Sequence, residues 1–468
     1  MCIRPITCLA IVTVLTGCSL FGAVHTQTKP IDSNDLSERH VYKTPRVKKF
    51  KPYFKGFNDP QLNQLISVAL VDAPNMRSAK ARVEHAQQLA KIAYSTLWPS
   101  VNLNGHLESA YFPIHGTIPP QIPKLNINKV NSAEIGLNLN YELDFWGKNR
   151  ENLASKLSET FAAQMDLAET QLVLSSAVAT TYFDVKNNII QQHLAIENAR
   201  ILCELADIMV DRAKQGIESN IPVKTALANA QVAKLAVENY NRAEMQSRHQ
   251  LAVLIGKNPL TTQINVASFT YNKEQLALPK IIPANVLAQR PDIASARALA
   301  ESAAHQVNIA KTAFFPNFNL KGLLSLQSLY FSKAFNIWFP NDNASVAFDL
   351  PIFDVGARRA NLRVNYAQYE LAVNQYNQTI LNSLKEVSDQ LSSLKTLDTQ
   401  IAAQNKVLNS TKSNYKLYQS QYTQGIIDYT QLIEIKQLLI QQKAILGNLQ
   451  TRQLQAHIAL LTALGGGV

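Results

Sequence analysis

The sequence predicts a mainly α-helical protein that also contributes to a membrane β-barrel and arose by tandem duplication. Three observations support this prediction. Two halves of the chain align at fixed offsets, each half holds a very long stretch free of glycine and proline, and each half holds two segments of alternating apolar and polar residues. Of the 468 residues 46% are hydrophobic and only 17% are charged, which excludes a charge-driven disordered chain.

The chain begins with a secretory signal. Residues 1–17 carry Arg4 ahead of an apolar core that is too short to span a membrane. The run Leu15-Thr16-Gly17-Cys18 resembles the lipobox of bacterial lipoproteins, in which the cysteine is acylated after cleavage. We therefore expect Cys18 to carry an S-diacylglycerol group and an N-acyl group, followed by an extended tail over residues 18–58. Because Ser19 follows rather than an aspartate, the outer membrane is the favoured location.

The body of the chain is an internal repeat. The run Pro74–Glu84 aligns with Pro291–Glu301 at an offset of 217 residues. After an eight-residue difference in length the offset becomes 209, and there Gln215-Gly216-Ile217 matches Gln424-Gly425-Ile426. Ordered matches at two fixed offsets indicate a duplication.

The alignment divides the mature chain into two repeats and a linker. The first repeat covers residues 59–256 and the second covers residues 291–465, with the linker at 257–290. Each repeat is expected to contain the same elements in the same order, which is a short helix, two strands and a long helical hairpin.

Each repeat is predicted to open with a helix that stops before a proline. These helices cover residues 75–97 and 292–315, and Pro99 and Pro316 mark the breaks because proline cannot continue a helix. Apolar and polar residues then alternate along two segments per repeat, the pattern of a half-buried strand. The predicted strands cover about residues 100–111, 134–145, 317–328 and 345–353.

Two very long helical hairpins complete the repeats. Residues 148–215 and 357–424 form stretches of 68 residues without one glycine or proline. At about 1.5 Å per residue, each predicts a helix of about 100 Å. A glycine-containing turn and a return helix follow, giving hairpins over residues 148–255 and 357–464 with return helices at Val223–Ile255 and Ile426–Leu464. No ordinary globular core needs such a hairpin, so a long tube or stalk is expected.

The strands suit a barrel with lipid outside and water inside. Their apolar sides can face lipid and their polar sides a water-filled lumen. Four strands cannot close a barrel, and open edges are not tolerated in lipid, so the chain must assemble. Two copies give eight strands and three give twelve. Aromatic residues cluster near one end of the strands (Trp98, Phe145, Trp146, Phe315 and Phe353) and toward the other (Tyr111, Phe112, Tyr330, Phe331, Trp338 and Phe339).

Together these features resemble a known family. The lipobox, the duplicated order of elements, the run Arg290-Pro291-Asp292-Ile293 and the break Phe315-Pro316 look like TolC-type outer-membrane efflux proteins, and the lipobox points to their OprM/NodT lipoprotein branch. The resemblance covers residues from about 58 to 465. It implies a homotrimer with one shared 12-strand barrel and a periplasmic α-barrel. It also implies a periplasmic adaptor and an inner-membrane pump, often of the resistance-nodulation-division type, as partners.

In that family the hairpin tips close the tunnel and contact the adaptor. Here the resemblance places those turns at Gly216, Ile217, Gly425 and Ile426, and the gate at Asp428, Tyr429, Thr430 and Glu434. The usual gate reads Tyr-Leu-x-x-Leu-Asp, whereas this chain has threonine in place of the first leucine and glutamate in place of the aspartate. Carboxylates from several subunits at a narrow axis repel each other and favour cations.

The sequence shows no pattern of an enzyme, a metal site or a cofactor site. The histidines His106 and His115 are isolated and lack metal-ligand spacing. The run Ser392-Ser393-Leu394-Lys395 is a chance match to a Ser-x-x-Lys motif within a helix. Cys203 is the one cysteine left beside Cys18 after cleavage, and packing is its expected role. The formal net charge of +11 is scattered, so no nucleic-acid partner is predicted.

The expected function is that of an outer-membrane channel in a tripartite efflux system, which passively conducts drugs or other toxic small molecules. Two alternatives stay open. The first is the exit duct of a protein secretion system, which shares the architecture, and the second is a structural lipoprotein with no pore. The sequence does not identify the substrate, because a tunnel lined by Asn, Gln and Ser makes few selective contacts.

Overall fold

The computed structural model describes residues 57, 59–111, 129–262, 264, 266, 290–328 and 340–466. The chain forms two compact units. Among the described residues, the first unit contains His85–Phe161 and Arg297–Tyr376, with all four strands. The second unit contains the described parts of Ile31–Glu84, Ala162–Ala296 and Asn377–Val468, and it is helical.

The two repeats contain the same elements in the same order. The first repeat opens with an additional helix, α1 (Pro60–Asp72). The first repeat continues with α2 (Pro74–Ser95), β1 (Ser100–Tyr111), β2 (Lys129–Leu143), α3 (Lys148–Lys214) and α4 (Asn220–Leu254). The second repeat has α5 (Pro291–Thr312), β3 (Asn317–Ser328), β4 (Pro340–Asp349), α6 (Ala357–Thr423) and α7 (Tyr429–Ala463). Both long helices have 67 residues and both return helices have 35.

The predicted fold class, mainly helical with four strands per chain, is confirmed. The sheet is antiparallel throughout, in the order β1-β2-β3-β4. Strands β1 and β3 have the predicted bounds. The prediction was wrong at both ends of β2 and β4, which start at Lys129 and Pro340 rather than at 134 and 345, and end at Leu143 and Asp349 rather than at 145 and 353.

Local chemistry explains the strand ends. After β2, the Asp144 carboxylate accepts hydrogen bonds from the backbone N–H groups of Asn149 and Arg150 (3.1 and 3.0 Å), so the chain must turn there to cap α3. After β4, Pro351 has no N–H group to donate to a neighbouring strand.

The helices that open the repeats end before their prolines. The sequence prediction extended them to residues 97 and 315, but α2 ends at Ser95 and α5 at Thr312. Tighter i→i−3 backbone bonds form the last turns, as in Trp98 N to Ser95 O at 3.1 Å and Phe315 N to Thr312 O at 3.0 Å. Both turns complete the break ahead of Pro99 and Pro316.

The bounds of the hairpin helices also needed correction. The return helix α4 begins three residues earlier than predicted, at Asn220, because Pro222 fits the first turn of a helix. The return helix α7 begins three residues later than predicted, at Tyr429, because Asp428 caps it.

Helix α1 is fixed to the long helix α3 by a half-buried carboxylate. Asp59 caps α1 by accepting from the backbone N–H groups of Gln61 and Leu62. Its second oxygen accepts from the Tyr182 hydroxyl at 2.9 Å and from the Lys186 ammonium at 2.7 Å. Burial by itself raises the pKa of Asp59, but these bonds outweigh it and the pKa is lowered.

The main apolar core of the second unit surrounds this contact. It joins residues of α1, α3, α4 and α7, and its most deeply buried members include Leu62, Tyr182, Leu251 and Ile458. Close packing of these side chains is the main stabilising contribution of the unit.

Within the described ranges, no helix is long and apolar enough to cross a membrane. The predicted signal over 1–17, Cys18, nearly all of the tail over 18–58 and most of the linker lie outside the described residues. So do His115 and, of the second aromatic group, Phe112, Tyr330, Phe331, Trp338 and Phe339.

Candidate functional site

The two hairpin turns have the same backbone geometry. Gly216 and Gly425 have φ values of +72° and +71°, a conformation that glycine adopts without steric cost. The following N–H groups of Ile217 and Ile426 each bond the carbonyl five residues earlier, both at 2.9 Å. This is the glycine-based helix end known as the Schellman motif. It leaves the side chains of both isoleucines exposed, by 62% and 64%.

The predicted gate residues lie on the first two turns of α7. Asp428 is the N-cap, and its carboxylate accepts from the backbone N–H of Gln431 at 3.1 Å. Thr430 and Glu434 are four residues apart and therefore share one face of the helix. Glu434 is exposed at the edge of a groove between α3, α4 and α7. The described residues offer its carboxylate no ion pair.

Tyr429 joins the second hairpin to the first. Its hydroxyl lies beside the carboxylate of Glu204 on α3, and Glu204 also pairs with Arg200 at 3.6 Å. Burial raises the pKa of Tyr429 to about 12, with a further contribution from the neighbouring Glu204 carboxylate. The Tyr429 ring packs against Tyr422, with ring centroids 5.6 Å apart. The tip of the second hairpin is thus held by both a polar and an aromatic contact.

Sequence reasoning missed three of these residues. Tyr422 has a weak signal, since it precedes Gly425 by three residues and faces Tyr429 across the turn. Glu204 and Arg200 have no such signal in the sequence. They lie more than 200 residues from Tyr429, and no local pattern distinguishes them from the other charged residues of a long helix.

A second apolar core lies beneath the tips. It joins α3, α4 and α7 through mostly small residues of α4, such as Ala226 and Ala230, against Ile201 and Ile433, which are almost completely buried. Cys203 packs half-buried against this core.

The sheet has one apolar and one polar face. Residues directly opposite in neighbouring strands point to the same side. Leu143 pairs with Phe318 and Phe318 with Phe348, so all three lie on the apolar face. Phe348 is 74% exposed there. The other face carries polar side chains, such as Asn102, Asn138 and Asn140.

Aromatic side chains gather where the strands meet the helices. The rings of Trp146 and Phe315 stack with centroids 4.6 Å apart, and the indole N–H of Trp146 donates to the carbonyl of Pro316 at 2.7 Å. Phe145 contacts Phe318 edge-on at 5.4 Å. These contacts tie the break at Pro316 to the end of β2. Among the described residues, no cluster of His, Cys, Asp or Glu has the arrangement of a metal site.

A four-stranded sheet with an exposed apolar face, joined to two matched helical hairpins of 67 and 35 residues, defines the class of outer-membrane channels with long periplasmic helices. A family model described as outer membrane efflux protein matches residues 65–257 and 282–466. The chain therefore belongs to the outer membrane efflux protein family, whose members are channels of the outer membrane rather than enzymes.

Individual relatives match over nearly the whole chain. The multidrug resistance outer membrane protein MdtP of Shigella flexneri is 24% identical over 465 residues, which cover 97% of this chain and 94% of the relative. The pyoverdine export outer membrane protein OpmQ of Pseudomonas aeruginosa is 28% identical over 472 residues, covering 97% and 96%. The crystal structure of the Campylobacter jejuni CmeC outer membrane channel superimposes with a TM-score of 0.84 at 23% identity, covering 95% of this chain and 94% of that one, and confirms the fold.

Proposed function

We propose that three copies of this chain form an outer-membrane exit duct that passively conducts small toxic molecules from a periplasmic adaptor and an inner-membrane pump to the cell exterior. The pump supplies the energy. Relatives with matching length are named for multidrug resistance and for pyoverdine export, which supports small molecules as the substrate class.

The sheet carries this proposal. Its end strands β1 and β4 pair on one side only, and the apolar face is exposed, as at Val346 and Phe348. In lipid every backbone N–H and C=O group needs a partner, so β4 of one copy must pair with β1 of the next until the sheet closes. The apolar face then contacts lipid and the polar face lines a lumen. Three copies, as the resemblance implies, give a 12-stranded barrel.

The lipid anchor gives each copy a second membrane attachment. Acylation of Cys18 places the start of the mature chain at the membrane surface. The carboxylate of Asp59 then fixes α1 to α3, so the anchored tail leads into the folded part of the molecule at a defined point.

The gate is proposed at the tip of the second hairpin. The polar contact between Tyr429 and Glu204 holds this hairpin against the first in the closed state. Thr430 and Glu434 then face the axis, where three glutamates attract cations and repel one another. Asp428 contributes charge near the same point and also caps α7.

The turns are proposed as the contact with the adaptor. The Gly216 and Gly425 turns present Ile217 and Ile426 as exposed apolar side chains on neighbouring tips. Isolated apolar residues of this kind are suited to burial in a protein–protein interface.

The proposal is tested by the accumulation of a fluorescent dye and a panel of antibiotics in cells that lack the gene. We expect higher accumulation in the deletion strain and its reversal by complementation. A Cys18→Ala variant serves as a control for anchoring. Unchanged accumulation across the panel, together with a secreted protein trapped in the cell, would contradict efflux and favour the secretion duct.

A further inference from the structure

The polar face of the sheet is ordered in rows across the four strands. The in-register pairs Ser100–Asn140, Asn140–Lys321 and Lys321–Ser345 place these four side chains in one row. On the side away from the helices, toward Tyr111 and Ser328, the neighbouring row contains Asn102, Asn138, Leu323 and Asn343. On the helix side, the neighbouring row contains Glu142, Asn319 and Ala347. The polar face therefore consists largely of uncharged side chains, mostly asparagines, and each charged side chain belongs to a defined row.

Lys321 is the one lysine or arginine among the described residues of this face. The carboxylates are Glu142 and Asp349, one and two rows from Lys321 on the helix side, and Glu134 and Glu108, three and four rows away on the other side. Glu142 bonds the Lys148 ammonium at 3.0 Å, and Glu108 lies 3.5 Å from the ring of His106.

The Lys321 ammonium is available to solutes. Its side chain is exposed, and its neighbours in the row are the uncharged Asn140 and Ser345. Among the described residues, no carboxylate lies within ion-pair distance of it. A cation without a fixed counter-ion attracts mobile anions from solution.

We infer that Lys321 is a specificity-determining residue of the pore, which lowers the preference of the barrel lumen for cationic over anionic small solutes. The inference rests on the proposed channel function. Symmetry places the three copies of Lys321 at one height, where they form a ring of positive charge between acidic rows. Rings of charged side chains set the ion preference of water-filled pores.

The test uses the full chain in planar lipid bilayers under a gradient of KCl near about 0.1 M, where the screening length is about 10 Å. The measured quantity is the reversal potential, which gives the cation-to-anion permeability ratio. We expect this ratio to rise by about twofold or more in Lys321→Gln and further in Lys321→Glu, because local counter-ion concentration follows the fixed charge. The Lys80→Gln variant, in which an exposed lysine of α2 is replaced, should leave the ratio unchanged.

Salt concentration gives an independent check. Near about 1 M KCl the screening length falls to about 3 Å, so the difference between the variants should shrink. A reversal potential that is the same in all the proteins at low salt would overturn the assignment of Lys321 while leaving the channel in place. A complete absence of conductance in the unsubstituted protein would instead contradict the proposed function and, with it, this inference.

Discussion

At the residue scale, a tyrosine hydroxyl makes the polar contact between the two hairpin tips. Tyr429 begins α7, and the neighbouring Glu204 lies on α3, so their polar contact joins helices of different repeats. If the tips separate when the channel opens, this contact exists only in the closed state. A contact made in one of two states shifts the equilibrium by its full free energy.

We expect Tyr429→Phe to raise the basal conductance of the purified channel. A partly exposed polar contact between a hydroxyl and a carboxylate contributes about 1 kcal/mol, which corresponds to roughly a fivefold shift toward the open state. Single-channel recordings measure the open probability directly. Glu204→Gln should also raise the open probability. The double variant should exceed the single variants only slightly, because both substitutions remove the same contact. Full additivity would show that the two side chains act separately.

The same recordings distinguish charge from capping at the tip. Asp428→Asn keeps an N-cap side chain and removes the charge, whereas Asp428→Ala removes both. If cations bound by these carboxylates hold the gate closed, Glu434→Gln and Asp428→Asn will each raise basal conductance, because each variant binds those cations less well. An effect confined to Asp428→Ala would assign that residue to helix capping alone.

At the scale of elements, a buried guanidinium joins three helices of the second repeat. Arg290 is 8% exposed and donates to Asp292 of α5 at 2.8 Å, to Glu386 of α6 at 3.0 Å and to the Ala463 carbonyl of α7 at 2.6 Å. The carboxyl group of Glu169 on α3 lies in the field of this cluster. Burial raises the pKa of Glu169 to about 7, and the negative charges of Asp292 and Glu386 add to the shift against the opposing effect of Arg290.

The raised pKa makes the stability of the protein depend on pH. Between pH 4.5 and about 7, Glu169 holds its proton in the folded state and loses it in the unfolded state. The free energy of unfolding therefore falls by at most about 3 kcal/mol as pH rises through this window. Above about pH 7 the contribution of Glu169 no longer changes with pH. Glu169→Gln should match the unsubstituted protein near pH 5 and exceed it in stability at pH 8, as measured by urea unfolding.

A surface carboxylate provides the control for this experiment. Glu301 of α5 forms an exposed pair with Arg297 at 3.0 Å, so Glu301→Gln should change stability little and equally at both pH values. A Glu169→Gln variant with the same pH profile as the unsubstituted protein would show that Glu169 is ionised in the folded state.

The two repeats also close in the same way. A Cβ atom placed on Gly256 at the end of α4 would lie 2.7 Å from the carbonyl oxygen of Asp72, and one on Gly465 would lie 3.2 Å from the Cα of Arg290. In each repeat, therefore, the glycine that follows the return helix packs directly against the backbone just before α2 or α5. Arg290 has no counterpart in the first repeat, since Ala73 occupies the equivalent position.

At the scale of the whole molecule, the number of copies is the quantity to measure. The full chain of 468 residues has a mass of 52.0 kDa. We expect native mass spectrometry of the detergent-solubilised protein to show three mature chains, as the family resemblance implies. A stable dimer would give eight strands and would contradict the proposed trimer, whereas a monomer would leave the edges of β1 and β4 unpaired.

The sequence alone predicted the fold class and the order of elements. The duplication, the glycine-free stretches and the alternating strands depend on local patterns that repeat along the chain, so they can be recognised without long-range contacts. The same holds for the turns at Gly216 and Gly425, since glycine at the end of a helix has a local conformational reason. The strand ends were harder, because β2 and β4 are extended by pairing with neighbours.

Only the tertiary structure decided which charges act together. Glu204, Arg200 and Glu169 look like ordinary helix residues in the sequence, and their roles depend on partners far along the chain. Asp428 appeared as a gate residue alone, while the backbone shows that it also caps α7. Lys321 shows the same distinction, because alternation places it on the polar face, but only the register of the strands shows that its neighbours in the same row, Asn140 and Ser345, are uncharged. Periodicity is a local property of a sequence, whereas electrostatic environment is set by whatever the fold brings within a few ångströms.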